Sequence, residues 1–205
     1  MDLIRKYFPE LTPVQLSKFE KLGQIYSEWN RKINVISRKD IAYFYERHLL
    51  HSLAIAKKFQ FPADSRILDV GTGGGLPGIP LAIYFPECSF ILIDSIGKKI
   101  SVTRSVAKEI EVNNVLTIQV RAEYYDEKFH YVVARAVTDL RKFMTWVTKN
   151  IDLKDLKDPA NGVIYLKGGS IEEEIKPFSN ARIINIADFF KEEYFLTKKI
   201  IYLPV

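Results

Sequence analysis

The fold of this chain is decided by residues 69–78, whose sequence is DVGTGGGLPG. The short apolar run Arg66–Val70 leads into this segment, and the stretch Gly78–Phe85, ended by Pro86, continues from it as a predicted helix. Glycines at a strand-to-helix turn permit positive φ and let a ligand approach the backbone closely. Ligands of open α/β sheets bind at the carboxyl ends of the strands, where this turn lies. The segment therefore predicts a ligand-binding loop in an α/β protein.

Strands and helices alternate along the rest of the chain. The sequence predicts further strands at Ser89–Asp94, Val115–Val120, Tyr131–Val137, Gly162–Lys167, Ala181–Ile186 and Phe195–Leu203, and helices at Lys98–Val112, Leu140–Ile151 and Glu172–Ile175. Such alternation implies right-handed crossovers and a parallel sheet covered on both faces. The last two strands are joined by a connection too short for a crossover helix, which predicts antiparallel pairing at one edge. We expect a doubly wound, mainly parallel sheet of seven strands.

Residues 1–60 differ from the rest in composition. They are predicted to be helical, with Thr12 and Pro13 as a helix start and a second helix over Ile41–Phe59. They hold 11 lysines and arginines against 6 acidic residues, whereas residues 61–205 hold 19 of each. We therefore expect a basic helical extension at 1–60 and a ligand-binding domain at 61–205. A basic module suits a polyanion, although a solvated helix face explains the charge equally well.

Composition excludes several other classes of protein. The chain has 205 residues, of which 47% are hydrophobic and 27% charged, so it is not a wholly disordered chain. No apolar run is long enough to span a membrane, and the first residues lack the core of a signal peptide. The single Cys88 excludes an internal disulfide and any mechanism with two thiols. We expect a cytoplasmic enzyme with no membrane contact and no obligate protein partner.

Two cofactors compete for the glycine loop. The pattern Gly73-x-Gly75-x-x-Gly78 matches the dinucleotide fingerprint, and Asp94 ends the next strand at about the spacing of a ribose ligand. In a dinucleotide site, however, the glycines cradle a pyrophosphate at the helix N-terminus. Here an acid, Asp69, closes the strand. An aspartate followed by Gly-x-Gly-x-Gly resembles instead the first motif of class I S-adenosylmethionine-dependent methyltransferases, whose cofactor has an ammonium and no phosphate.

The resemblance extends beyond this loop. Asp69 to Pro80, followed by Asp94-Ser95 and Lys98-Lys99, is similar to the glucose-inhibited division protein B family, the bacterial guanine-N7 methyltransferases of small-subunit ribosomal RNA. Agreement spans roughly residues 25–168 and includes Trp29-Asn30, Asn34, Arg47-His48, Ser52, Ala122-Glu123, Arg135-Ala136 and Leu166-Lys167-Gly168. His51, His130 and Gly74 depart from the usual family pattern. The resemblance implies a Rossmann-like class I methyltransferase fold, S-adenosylmethionine as cofactor, S-adenosylhomocysteine as product, and 16S ribosomal RNA as substrate.

The resemblance and the two flanking acids together give the candidate site. The expected cofactor-binding residues are Asp69, Gly71, Gly73, Gly75, Leu76, Asp94, Ala122, Glu123 and Arg135. Arg135 is also the candidate catalytic residue, because it lies at the end of the fourth strand beside the expected place of the acceptor base. Guanine N7 is an unprotonated lone-pair acceptor, so its methylation needs positioning and no general base.

The remaining charged and aromatic candidates are assigned to contacts with RNA. Arg31, Lys32, Arg38, Lys39 and Lys167 are the candidate RNA contacts, with the run Tyr43, Phe44 and Tyr45 as possible stacking partners, some of whose rings must lie in the core. His48 and His51 stand three residues apart, but no third ligand lies near them, so we expect packing or capping and no metal site.

Three alternatives to an RNA methyltransferase stay open at this point. The first is a small-molecule methyltransferase, in which the basic extension would be a lid. Salt dependence separates it from an RNA methyltransferase, because RNA binding weakens steeply as the salt concentration rises. The second is a nicotinamide-dependent oxidoreductase, which would bind NADH and ignore S-adenosylhomocysteine. The third is an RNA-binding module without catalysis, which would not need the arrangement of Asp69, Asp94 and Glu123.

Overall fold

The computed structural model of this chain describes residues 1–37 and 39–205. Its α-helices are α1 (Asp2–Tyr7), α2 (Pro13–Lys32), α3 (His51–Lys58), α4 (Gly78–Tyr84), α5 (Gly97–Glu109), α6 (Leu140–Val147) and α7 (Glu172–Ile175). Its strands are β1 (Arg66–Val70), β2 (Ser89–Asp94), β3 (Val115–Gln119), β4 (Tyr131–Arg135), β5 (Gly162–Gly168), β6 (Arg182–Asn185) and β7 (Lys198–Pro204). Shorter 3₁₀ turns and one π-helix connect them.

The seven strands form one sheet in the order β3-β2-β1-β4-β5-β7-β6. Strands β1 to β5 are parallel to one another, and β7 lies antiparallel between β5 and β6. The predicted doubly wound sheet and its antiparallel edge are confirmed. The order reverses between β1 and β4, which is where an open α/β sheet forms its ligand crevice.

Helices cover both faces of the sheet. One hydrophobic cluster joins buried residues of the N-terminal helices, such as Phe19 and Leu53, to α4, α5 and the sheet residue Ile67. A second cluster packs α6, through Leu140 and Phe143, against the opposite face. Residues 1–60 therefore form a helical layer that shares its core with the sheet.

The segment predicted as one helix over Ile41–Phe59 has three parts. A 3₁₀ turn at Ile41–Tyr43 leads into a π-helix at Phe44–Leu50, and only His51–Lys58 is α-helical. A π turn is wider than an α turn, and such turns occur often at functional sites. Apolar spacing predicts this helical segment but does not distinguish the wider turn.

The predicted strand Phe195–Leu203 starts too early. Residues Glu193–Thr197 form a 3₁₀ turn, and β7 begins at Lys198. The turn carries the buried Phe195 ring to 5.0 Å from the ring centroid of Phe190, so core packing overrides the extended conformation there.

No helix in the described ranges, 1–37 and 39–205, is long and apolar enough to cross a membrane.

Candidate functional site

The glycine loop after β1 is fixed by hydrogen bonds from below. The carboxylate Oδ2 of the fully buried Asp69 accepts from the Thr72 hydroxyl at 2.6 Å and from the Gly78 amide at 2.8 Å. Burial raises the pKa of Asp69 to about 7, against the lowering effect of these two hydrogen bonds. Asp69 therefore ties the loop to the first turn of α4 from beneath the site.

Two further side chains hold the loop from the helical layers. The buried Tyr26 of α2 donates its hydroxyl to the Gly74 carbonyl at 2.6 Å. The Thr103 hydroxyl of α5 donates to the Gly73 carbonyl at 3.0 Å. Two helices thus anchor the carbonyls of Gly73 and Gly74, so the loop backbone is ordered without a ligand.

Three glycines of the loop have backbone angles that favour glycine. Gly71, Gly73 and Gly75 have φ values of 67°, 60° and 102°. A Cβ on Gly71 would lie 2.8 Å from Val137 Cγ2, whereas a Cβ on Gly73 would meet no atom within 4 Å. The sequence pattern of glycines thus corresponds to a real requirement of the turn.

Asp94 ends β2 beside this loop. Its two carboxylate oxygens accept from the Gly73 amide at 3.0 Å and from the Ile96 amide at 2.9 Å. Each carboxylate oxygen can accept a second hydrogen bond. Asp94 is thus oriented by the backbone and keeps acceptor capacity for a pair of hydroxyl groups.

A cavity of about 400 Å³ lies at this end of the sheet. Seven predicted cofactor residues line it, namely Gly71, Gly73, Leu76, Asp94, Ala122, Glu123 and Arg135. The predicted residues Asp69 and Gly75 are absent from the lining, because Asp69 lies beneath the loop and Gly75 faces Ile79 and Thr103. These two residues support the loop, and their direct contact with a cofactor stays a prediction.

Sequence reasoning missed several lining residues. The main additions are Val35, Ile96, Lys99, Arg121, Val137 and Trp146. Lys99 belongs to the segment after Asp94 that resembles the methyltransferase family, so the resemblance could have indicated it as a lining residue. Val35 comes from residues 30–40, the end of α2 and the segment after it, which we call the basic link, and Trp146 comes from α6. Nothing in the local sequence of either residue indicates that the chain brings it to the glycine loop.

Arg135 lies at the end of β4 on the opposite wall of the cavity. Its only hydrogen bond among the described residues is a long one, 3.4 Å from a guanidinium nitrogen to the Arg47 carbonyl, and no described carboxylate lies within 4.0 Å of it. Burial lowers its pKa, but a guanidinium stays cationic at neutral pH. The next residue, Ala136, has a φ of 50°, an uncommon conformation for a residue with a Cβ. This strand end therefore offers an unneutralised positive charge to an anionic or electron-rich ligand.

His48 and His51 pack behind Arg135. Burial, followed by the charge of Arg135, lowers the pKa of His48 to about 3, and the same two causes lower that of His51. Both imidazoles are therefore neutral at pH 7. The His51 ring packs edge-on against Phe195. Within residues 1–37 and 39–205, no three His, Cys, Asp or Glu side chains are grouped to hold a metal.

The candidate RNA contacts fall into two groups. Arg31 and Lys32 are exposed at the end of α2, and Lys39 is exposed further along the basic link, which also contains the lining residue Val35. Arg38 lies outside the described residues. Lys167, in contrast, is paired with Glu174 on α7 and is mostly buried, so an RNA phosphate would have to displace this ion pair.

The Asn30 side chain fixes the backbone of the basic link at Val35 and Ile36. The Asn30 side chain accepts from the Val35 amide at 3.0 Å and the Ile36 amide at 2.9 Å, and it donates to the Ile36 carbonyl at 2.9 Å. The Lys32 ammonium lies 5.2 Å from the ring centroid of Trp29. These contacts join the end of α2 to the residues after it, among which Val35 lines the cavity.

The loop geometry discriminates between the two cofactors. A pyrophosphate binds to free amides at a helix N-terminus. At the start of α4, the Gly78 amide already donates to Asp69, the Ile79 amide donates to the Gly75 carbonyl, and Pro77 has no amide proton. The residues present do fit S-adenosylmethionine, because the cavity combines Asp94 and Glu123, the cation of Arg135 and the apolar Ala122.

Comparison with known proteins identifies the family of this chain. The chain matches the GidB family, described as rRNA small subunit methyltransferase G, over residues 15–193. It is 50% identical over 205 residues to a Flavobacterium psychrophilum protein named Ribosomal RNA small subunit methyltransferase G, covering 100% of this chain and 98% of that one. A Bacteroides thetaiotaomicron protein of the same name is 49% identical over 206 residues, with 100% of both chains covered.

Solved structures show the same fold. A mutant of MtNAS in complex with S-adenosylmethionine gives a TM-score of 0.60 at 17% identity, covering 99% of this chain and 77% of that chain. The precorrin-6y C5,15-methyltransferase of Geobacter metallireducens gives 0.57 at 10% identity, covering 84% and 92%. These identities establish the class I methyltransferase fold alone, whereas the full-length relatives establish membership. The chain belongs to the GidB family, rRNA small subunit methyltransferase G.

Proposed function

We propose that this chain transfers a methyl group from S-adenosylmethionine to N7 of a guanine in the 16S ribosomal RNA of the small ribosomal subunit. The observation that carries the proposal is the cavity between β1, β2 and β4, with Asp94 on one wall and the unneutralised Arg135 on the other. Full-length relatives named as small-subunit rRNA methyltransferases support the substrate. Such a substrate implies the bacterial cytoplasm as the place of action.

The cofactor's parts match the walls of the cavity. Asp94 would accept hydrogen bonds from the ribose hydroxyls, and Ala122 with Glu123 would contact the adenine. The guanidinium of Arg135 would pair with the carboxylate of the methionine part or with an acceptor atom of the guanine. When bound, S-adenosylmethionine supplies an electrophilic methyl group on a sulfonium sulfur.

The reaction does not require the protein to act as a general base. The guanine N7 lone pair forms the new bond to the methyl carbon while the carbon–sulfur bond breaks and its electron pair stays on sulfur. N7 carries no proton, so no base has to remove one. The protein contributes alignment of N7 with the methyl–sulfur bond, a proximity effect. The neutral His48 and His51 have no proton-transfer task in this scheme.

Calorimetric titration tests the cofactor assignment. S-adenosylmethionine and S-adenosylhomocysteine should bind, and NADH should not. Asp94→Ala should weaken S-adenosylhomocysteine binding about tenfold to a hundredfold, because a hydrogen bond to a charged group contributes about 1.5–3 kcal/mol. Glu173→Ala is the matched control, since Glu173 is exposed and its one ion pair among the described residues is with Lys176.

The opposite results separate the alternatives. NADH binding without S-adenosylhomocysteine binding would contradict the proposal in favour of an oxidoreductase. Binding of S-adenosylhomocysteine with no methyl transfer to small subunits at any salt concentration would contradict the RNA substrate and favour a small-molecule methyltransferase.

A further inference from the structure

The three aromatic residues after the basic link occupy different environments. The Phe44 ring is buried, 4.9 Å from the ring centroid of Tyr26. Tyr45 is half-buried and donates its hydroxyl to the Glu20 carbonyl at 3.0 Å. Tyr43 alone of the three is exposed, with 49% of its surface in solvent. Of this run, therefore, only Tyr43 offers a ring to a partner.

The Tyr43 ring is held in place by Arg47, one helical turn further on. The guanidinium carbon of Arg47 lies 4.0 Å from the Tyr43 ring centroid and 5.5 Å from that of Tyr194. Asp40 accepts a 2.7 Å hydrogen bond from the same guanidinium. Arg47 is thus fixed by an ion pair and by two rings, and the Tyr43 ring rests on it as an ordered surface.

Arg47 connects this surface to a residue that lines the cofactor cavity. The backbone carbonyl of Arg47 accepts hydrogen bonds from Arg135, which lines the cavity, and from the Tyr194 hydroxyl, each at 3.4 Å. One residue thus joins the exposed ring to the wall where the acceptor base is expected.

The groove beside Arg47 and Tyr194 carries charges of both signs, since Glu46, Glu192 and Glu193 line it together with Arg47 and Lys198. Lys39 is exposed near Tyr43 in sequence, and the Lys198 ammonium lies 4.6 Å from the Tyr194 ring centroid. No described carboxylate lies within 4.0 Å of either ammonium. The nearby Glu192 is engaged elsewhere, by hydrogen bonds from Tyr7 and Lys6. Arg47 is neutralised by Asp40, so its part is to brace the ring. The ammonium groups of Lys39 and Lys198 are the cations that would meet the phosphates of a bound strand.

We propose that the exposed face of Tyr43, braced by Arg47, is a stacking platform for an unpaired RNA nucleotide next to the target guanine. The inference rests on the proposed function and adds to it that the substrate is single-stranded at this position. Aromatic rings recognise RNA by stacking on bases that are splayed out of a helix, and a base inside a duplex has no free face for this.

The test compares three substitutions of Tyr43 in methyl transfer to small ribosomal subunits. Tyr43→Leu should raise KM for the subunit about tenfold or more, the loss expected when one base loses its aromatic partner. Tyr43→Phe and Tyr43→Trp should stay within about threefold of the wild type. In all three, kcat at saturating subunit and the affinity for S-adenosylhomocysteine should be unchanged.

Salt dependence separates stacking from charge. Because leucine removes no charge, Tyr43→Leu should leave the slope of log KM against log salt unchanged, whereas Lys39→Gln should reduce it. A KM for Tyr43→Leu equal to that of the wild type overturns the platform, and so does an equal rise for Phe and Leu. Failure of the proposed function looks different, since the wild type itself would then transfer no methyl group.

Discussion

Replacing Asp69 by asparagine should change how the stability of the protein depends on pH. Asparagine has the same shape, and its carbonyl can accept the hydrogen bonds that Thr72 and Gly78 donate to Asp69 Oδ2. The amide does not titrate. The wild-type carboxyl titrates, and burial raises its pKa from the ordinary value of 3.8 to about 7.

The sign and size follow from linkage. A pKa that is higher in the folded protein means that the folded state binds this proton more tightly, so stability is lost as pH rises from about 4 to about 7. Each pKa unit is worth about 1.36 kcal/mol, so the full penalty is about 4 kcal/mol, of which about 3 kcal/mol develops between pH 5 and pH 8.5. The free energy of unfolding of Asp69→Asn minus that of the wild type should grow by this amount over that range.

Urea unfolding at four or five pH values measures this difference directly. Both proteins share every other titrating group, so the subtraction isolates Asp69. Circular dichroism and S-adenosylhomocysteine binding show whether the loop keeps its shape in the variant. A difference between the two proteins that stays constant from pH 5 to pH 8.5 would refute the reasoning, because the carboxyl would then titrate alike in the folded and unfolded states.

Three shorter predictions concern the loop and the basic link. Tyr26→Phe removes the donor to the Gly74 carbonyl and should lower the free energy of unfolding by about 1–3 kcal/mol, together with a weaker affinity for S-adenosylhomocysteine; unchanged values would contradict the anchoring role. Gly71→Ala should lower the stability of the protein more than Gly73→Ala. Both alanines are strained by a positive φ, but only the first places a Cβ 2.8 Å from a Val137 methyl. Equal unfolding midpoints in urea would contradict this. Lys32→Gln should reduce the salt slope of RNA binding by about 0.7–0.9 in a filter-binding assay, with Lys176→Gln as an exposed control that leaves the slope alone.

The sheet was predictable because its signals are local. Apolar runs such as Arg66–Val70, followed by glycines or helices, predict parallel strands, and the structure places all seven strands where these runs lie. The ends were less predictable. The 3₁₀ turn at Glu193–Thr197 exists because Phe195 packs into the core, and that packing is not visible in the turn's own sequence.

The site divides in the same way. Gly71, Gly73 and Asp94 were predictable, because a turn with positive φ and an acid at a strand end leave patterns in the chain. Val35 and Trp146 were not, because they reach the cavity through the packing of distant helices. Tyr26 looks like an ordinary core tyrosine in the sequence, and only the structure shows that its hydroxyl holds the loop.

The central claim is methyl transfer to guanine N7 of small-subunit RNA. The most direct test incubates small ribosomal subunits, prepared without this modification, with labelled S-adenosylmethionine and the wild type, Asp94→Ala or the Glu173→Ala control. The RNA is then digested and the nucleosides are identified by mass spectrometry. The account predicts label in 7-methylguanosine of 16S RNA, lost with Asp94→Ala and kept with Glu173→Ala. Label in another nucleoside, or none in RNA while S-adenosylhomocysteine still binds, would contradict it.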